Sequence, residues 1–213
     1  EFILDPGEGQ PYALNMILNM FQSYGKNDIL VFTDGDVYVS DNTLKEIMRA
    51  FKDKKVGGIT GRPVSTNARN TKYGYWSKVT YDGIDKVRKN LDKRKEFMQC
   101  SGYLFAIRNG LVKETYPDVP EDCIIPYLVW KQGYRIAYLP NAEVYVQYPN
   151  NWDDWLKQRV RTIKAHENLS KIVPDMPRTK SFFNEIKKGL FFTLTHPRNP
   201  KEVYWLIQLY FAR

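Results

Sequence analysis

A short strand-like run followed by two carboxylates constrains this chain more than any other feature. Asp28-Ile29-Leu30-Val31-Phe32-Thr33 has the β-branched and aromatic content of a buried strand, and Asp34-Gly35-Asp36 follows it directly. Carboxylates do not belong inside a strand core, so the acidic pair lies where the strand leaves the sheet. Gly35 permits a bend, and both side chains can then face a cleft beyond the strand's carboxyl end, where ligands of open α/β sheets collect. Two carboxylates there suit a hard divalent cation and the phosphates it carries. An Asp-Gly turn capping the next helix explains the same residues. Spacing alone leaves both readings open.

The surrounding pattern is that of an α/β chain. Residues 1–5 read as a strand, residues 7–11 as a loop, and residues 12–24 as a helix with Leu14, Ile17, Leu18 and Phe21 on one face. With the strand at 28–33 this completes a β-α-β unit within about forty residues. Asp41-Asn42 offers an N-cap to a helix over 43–53, with Leu44, Ile47, Met48 and Phe51 as its buried stripe. Residues 56–64 read as a strand in which Gly57, Gly58 and Gly61 mark close approach of ligand or backbone. A polar loop then leads into a long basic helix ending near residue 95, with Trp76, Val79, Ile84 and Val87 as an imperfect stripe. Residues 97–107 read as a kinked strand around Cys100-Ser101-Gly102. A helix opens at Glu121-Asp122 and stops at Gly133, residues 134–139 form a strand, and a helix starting at 151–154 carries Gln158, Arg159 and Arg161.

The chain's 213 residues, 43% of them hydrophobic, can build a substantial core, so disorder is excluded for most of the length. The net charge of +8 fits partners that bear phosphate: a nucleotide, a nucleic acid or an anionic membrane. Two cysteines and two histidines, far apart, provide neither a disulfide framework nor a familiar zinc spacing, and a reducing compartment is the natural reading. No signal peptide opens the sequence, and the expectation is a chain that begins partway into a longer protein. Near the other end, Phe182, Phe183, Ile186, Leu190, Phe191 and Leu194 face away from Asn184, Glu185, Lys187 and Lys188, as in a helix lying on a membrane surface. Residues 203–211 are apolar apart from Gln208. They are too few to span a bilayer, which takes about twenty. They form a core helix or the start of a transmembrane one, and the preceding amphipathic pattern favours the second.

Three polar patches carry chemistry: Asp34 and Asp36 after a strand, Glu121 and Asp122 at a helix start, and Gln158 to Arg161 on a later helix. In this order the chain resembles the catalytic domain of family 2 glycosyltransferases, of GT-A fold, especially the membrane-embedded inverting branch of cellulose, chitin and hyaluronan synthases. Asp34-Gly35-Asp36 resembles the family's DxD motif, Pro120-Glu121-Asp122 its (T/P)ED motif, and Gln158-Arg159-Val160-Arg161-Thr162 its QxxRW motif. Tyr12-Ala13-Leu14-Asn15 is similar to its Ala-Leu-Asn helix, and Ser101-Gly102 to its acceptor-side loop. Thr162 stands where the family has Trp, and Gln10 where a Lys often precedes Ala-Leu-Asn.

The resemblance implies a GT-A-like mixed sheet flanked by helices, with a C-terminal amphipathic interface helix. It divides the chain into a catalytic domain over 1–175, incomplete at its N-terminus, and a membrane-interface segment with the start of a transmembrane helix over 176–213. It further implies inverting sugar transfer from a nucleoside-diphosphate sugar to a polysaccharide or lipid acceptor, at the cytoplasmic face of a membrane. Asp34 and Asp36 would hold Mg or Mn, and Asp122 would be the general base. Substrate would be bound by Asp34, Glu121, Gln158, Arg161, Ser101 and Gly102. Trp152 and Trp155 are placed in the core, and Arg159 on the surface. The rival reading is a basic nucleotide- or nucleic-acid-binding domain without transfer. Against it, the lysines scatter instead of interleaving with aromatics, and no nucleic-acid partner is expected. A nucleotidyltransferase would share the metal carboxylates but leaves Asp122 and the Gln158/Arg161 pair without a task.

Overall fold

The computed structural model describes residues 7, 9–21, 25, 28–177 and 195–212. The expected first strand at 1–5 and the amphipathic stretch at 182–194 lie outside these residues. Among the described residues the elements in chain order are α1 (Gln10–Phe21), β1 (Ile29–Thr33), β2 (Tyr38–Val39), α2 (Thr43–Ala50), β3 (Val56–Ser65) and α3 (Lys72–Arg94). They continue with β4 (Leu104–Arg108), α4 (Glu121–Lys131), β5 (Arg135–Val146), α5 (Trp152–Ile172) and α6 (Pro200–Ala212).

The strands form one mixed sheet in the order β1-β4-β3-β5-β2. β3 and β5 are parallel, while β4 runs antiparallel to both β1 and β3, and β2 antiparallel to β5. Thr33 pairs with Leu104, so the end of β1 and the start of β4 share one margin of the sheet. One core cluster joins Leu14, Leu18, Phe105, Ile107, Ile124 and Ile136, beneath α1 and α4. The other joins Ile47, Ile59, Trp76, Val144, Trp155 and Leu206, beneath α2, α3 and α6. Burying helices on both faces of the sheet removes its apolar sides from water, as this class of architecture requires.

Several expectations change. β1 is an edge strand among the described residues and is only half-buried, with Val31 exposed, so its continuous apolar run does not report burial on all sides. On α2, Ile47 and Phe51 are buried, but Leu44 and Met48 are 64% and 67% exposed, because Thr43 turns inward instead and hydrogen-bonds Ser40 Oγ. Asn42 precedes this helix without a side-chain cap. Of the basic-helix stripe, Trp76 and Val79 are buried and Val87 is exposed. The segment expected as a kinked strand becomes regular only at Leu104, and β5 runs on to Val146.

The glycines of β3 answer to packing. A Cβ on Gly57 would stand 2.5 Å from Tyr134 Cβ and 2.7 Å from Val129 Cγ1, and one on Gly61 would stand 2.6 Å from Leu104 Cδ2. They admit neighbouring side chains and, at Gly61, the Ala142 carbonyl, which a Cβ would meet at 2.9 Å.

Residues 199–212 fold as a helix begun by Asn199, whose Oδ1 accepts the Glu202 amide at 3.0 Å, with Pro200 at the first helical position. The inner face of α6 packs on α3. Trp76 Nε1 donates to the Trp205 carbonyl at 2.6 Å, and Leu206 and Leu209 are buried. The Arg69 guanidinium grips the buried Glu202 carboxylate with two 2.8 Å bonds. The outer face, from Val203 and Tyr204 to a 90% exposed Phe211, is unburied. Among the described residues, no helix is long and apolar enough to cross a membrane.

Gly57→Ala is expected to lower stability by about 1–3 kcal/mol, the usual cost of overpacking. Urea unfolding followed by circular dichroism checks this. An unchanged midpoint would show that Tyr134 and Val129 yield freely.

Candidate active site

β1 carries Thr33 to the margin of the sheet, where its hydroxyl donates to the Tyr103 carbonyl at 3.0 Å. That bond ties the exposed Asp34-Gly35-Asp36 turn to the turn that opens β4. Within the latter, the buried Ser101 donates its amide to Thr60 Oγ1 of β3 at 2.9 Å, and Gly102 donates its amide to Asp122 Oδ2 at 3.1 Å.

Asp122 sits in the first turn of α4, where the helix dipole favours a carboxylate. Its backbone is held by a second bond whose cause can be read in the sequence. Pro126 lies four residues on and has no N–H, so the Asp122 carbonyl receives no bond from it within the helix. The Cys100 amide takes that carbonyl at 2.9 Å. The strap 100–102 therefore grips Asp122 at both main chain and side chain. A Cβ on Gly102 would lie 3.7 Å from Asp122 Oδ2 and 3.8 Å from Glu121 Oε1, so both carboxylates border this glycine.

Electrostatics link the remaining groups. Asp34 belongs to an exposed turn, yet partial desolvation of its carboxyl raises its pKa, the charges of Asp36 and Glu121 raise it further, and Arg161 opposes them. Glu121 is raised first by burial. Its own backbone N–H lowers it, Asp122 raises it, and a hydrogen bond from Gln10 and the charge of Arg161 lower it. These couplings bring the DGD turn, the start of α4, α5 and α1 to one place. Arg161 and Gln158 line a cleft of about 560 Å³ between α5 and residues 147–150, which Lys157 and Asp154 also border.

Other residues separate structure from chemistry. Trp155 is 1% exposed and Trp152 44%, so only the first is core. Arg159 lies over the Trp155 ring at 5.6 Å, and Thr162 donates back to the Gln158 carbonyl at 2.9 Å. Asn15 exchanges hydrogen bonds with the Thr115 backbone at 2.6 and 3.2 Å, fixing the loop before α4. Both cysteines are buried, and burial pushes the Cys100 thiol far up, which leaves it inert. Sequence reasoning missed Gln10 as a partner of Glu121, and it missed Thr60 and Pro126 as supports. The proline four residues after a first-turn aspartate was the legible signal.

Among the described residues no group of three His, Cys, Asp or Glu side chains is arranged to hold a metal. Asp34 and Asp36 alone supply two hard oxygen donors, and their surplus negative charge is what a dication would offset. That donor set fits Mg2+ or Mn2+, which commonly use one or two carboxylates and complete their shells with water and phosphate.

A mixed sheet flanked by helices, with this margin of carboxylates, is the architecture of a GT-A glycosyltransferase. It is similar to a mannosyltransferase of Pyrobaculum calidifontis solved with GDP-Man and Mn2+ (TM-score 0.53, 18% identity, 96% of this chain and 54% of that one). Residues 6–165 match the model of the glycosyltransferase-like family 2, and the chain belongs to that family. Relatives include an O-antigen chain rhamnosyltransferase of Salmonella anatum, 30% identical over 60% of this chain and 42% of its own length. Hyaluronan synthase of Streptococcus pyogenes is 26% identical over 65% of this chain and 36% of its own length. Poly-beta-1,6-N-acetyl-D-glucosamine synthase of Staphylococcus aureus is 26% identical over 84% and 44%. The chain thus spans less than half the length of each of these three relatives.

The raised carboxyls fix a pH signature. Folded Asp34 and Glu121 hold protons more tightly than their ordinary values of 3.8 and 4.5 allow. Their contribution to stability is therefore full below those values and is lost as pH rises through the raised ones. At neutral pH, saturating Mn2+ should raise the melting temperature by about 5 °C or more. The gain should fade on acidification toward the carboxyl range and vanish in the Asp34→Asn/Asp36→Asn double variant. An equal gain in that variant would place the ion elsewhere.

Proposed function

We propose that this chain is the catalytic portion of an inverting, metal-dependent glycosyltransferase that moves a sugar from a nucleoside-diphosphate sugar to a polysaccharide or lipid acceptor. The observation that carries this reading is the meeting of Asp34, Glu121 and Arg161 in one electrostatic cluster beside Asp122. Asp34 and Asp36 would hold Mg2+ or Mn2+ against the diphosphate, and the cation supplies charge stabilisation for the departing diphosphate.

The chain's own residues perform the rest. Arg161 presents a guanidinium fork to diphosphate oxygens, and Gln158, one turn away in the same cleft, adds an amide donor. Asp122, held by Gly102 and Cys100, takes the proton of the acceptor hydroxyl as that oxygen bonds to the anomeric carbon. The bond from that carbon to the diphosphate oxygen breaks on the opposite side, and attack from behind inverts the centre. Glu121 lies between Asp122 and Asp34 in charge and binds substrate. Ser101 and Gly102 form the floor on which the acceptor rests. Thr162 stands where the resemblance would put a Trp, so α5 offers no aromatic ring at that position.

The reading places the chain at the cytoplasmic face of a membrane. The unburied outer face of α6 supports it, with Val203, Tyr204, Ile207, Tyr210 and Phe211 turned toward solvent. The basic balance of the chain serves the anionic donor and an anionic surface, with no role for nucleic acid.

Asp122→Asn tests the chemistry. With a panel of nucleoside-diphosphate sugars and Mn2+, turnover should fall about a hundred- to ten-thousand-fold while donor binding by calorimetry stays within twofold. Undiminished turnover would remove Asp122 from the mechanism.

A further inference from the structure

Behind the strap that holds Asp122 lies a cation that the reaction described above does not use. Arg88, on the inner face of α3, reaches under the strap. It donates to the Gly61 carbonyl of β3 at 3.5 Å and to the Gln99 carbonyl at 3.4 Å, both long bonds to neutral acceptors. No carboxylate lies within ion-pair distance of it among the described residues, although other arginines on this side of the sheet have such partners. Arg62 lies 3.2 Å from Glu143 and Arg135 lies 3.3 Å from Asp53. Burial lowers the pKa of Arg88, and the groups that offset this are Cys100, Tyr138, Asp122 and Cys123. Of these four, Asp122 is the carboxyl group. Arg88 is half-buried, and a guanidinium drawn partly out of water without a close carboxylate is costly, yet an arginine stays charged regardless.

The cost has a structural return in two forms. The two carbonyls that Arg88 holds belong to β3 and to the residue immediately before Cys100, so the guanidinium anchors the strap from below while Cys100 and Gly102 grip Asp122 from above. Its fixed charge also interacts with Asp122, on which the neighbouring Glu121 carboxylate acts with the opposite sign. We propose that Arg88 is a positioning residue for the general base: it pins the strap 99–102 in place and keeps a permanent positive charge behind the Asp122 carboxylate. This rests on the base assignment made above.

The charged and titratable groups around this pair are few enough to separate. From α4 they are Glu121 and Cys123, from the strap Cys100, and from β5 Tyr138, whose hydroxyl bonds Asp85 at 2.8 Å. On α3 itself Asp85 is paired with Lys89 at 2.8 Å, and Arg62 of β3 stands 3.7 Å from Asp85. On the far side, Arg161 acts on Glu121.

Two variants distinguish charge from packing. Arg88→Gln keeps an amide donor for one carbonyl and loses the charge; Arg88→Lys keeps the charge and loses the fork. The Asp122 carboxyl titration is read in the full chain by 13C NMR, assigned by difference against Asp122→Asn, so that no substrate is needed. In Arg88→Gln the midpoint should move up by about one pH unit, and in Arg88→Lys it should stay near the wild-type value. Where turnover is measurable, the acid limb of the pH–rate profile should move in the same way. An unmoved midpoint in Arg88→Gln, or an equal shift in both variants, overturns the proposal. Failure of every nucleoside-diphosphate sugar to react with wild-type protein would count instead against the transferase reading and leaves the titration to decide this one.

Discussion

Two hydrogen bonds, from the Cys100 amide to the Asp122 carbonyl and from the Gly102 amide to the Asp122 carboxylate, convert separate stretches of chain into a site. They dock the start of α4 onto the turn that opens β4, and β4 is in register with β1, which ends at the DGD turn. That docking adds a direct bond to the core that Ile124 of α4 shares with Phe105 of β4, and it fixes how the Asp122 carboxylate is turned. The bonds depend on Pro126, which leaves the Asp122 carbonyl without an intrahelical partner. They also depend on Thr60, which holds the Ser101 amide between them. A carboxylate that accepts a backbone N–H in a partly buried place is fixed in direction as well as position, and that is what a base needs.

The same margin of the sheet concentrates negative charge. Asp34, Asp36, Glu121 and Asp122 repel one another, and burial adds to the penalty at Asp34 and Glu121. Structural carboxylates in this chain are treated differently. Glu202 is buried yet held low, first by its hydrogen bond from Arg69, and Asp82 is held low by its bond from His196. The chain pairs its carboxylates where they serve packing. At the candidate site it leaves a surplus, with Arg161 as a partial counterweight, and this surplus is what the proposed binding of a cation and an anion together rests on.

Much of this was legible in the sequence, for physical reasons that differ by element. The stop of β1 at Asp34 was visible because an apolar run and a carboxylate pair cannot share a core. α4 was visible because acidic residues at its start and a glycine after its end, Gly133 with φ +87°, are local signals. Burial was less legible. Leu44 and Met48 have the spacing of a core stripe, but α2 turns Thr43 inward, a choice set by Ser40 and β5 and not by the helix itself. Gly57 and Gly61 read as close approach of ligand or backbone, and only the positions of Tyr134, Val129, Leu104 and the Ala142 carbonyl show which neighbours come close. Arg88 had no signal of its own among many basic residues on a long helix. Its distinction is that no carboxylate among the described residues stands within ion-pair distance of it, which is a property of the fold.

In the proposed function the DGD turn, the start of α4 and α5 surround a single cation-bound diphosphate. Paramagnetic broadening by Mn2+ with inorganic pyrophosphate measures this without knowing the donor. Backbone resonances of Gly35, Gly102, Glu121 and Arg161 should broaden together at low Mn2+. Gly133, past the opposite end of the eleven-residue α4 and about 17 Å away, should stay sharp. Broadening confined to Gly35, with Gly102 and Arg161 as sharp as Gly133, would contradict the account.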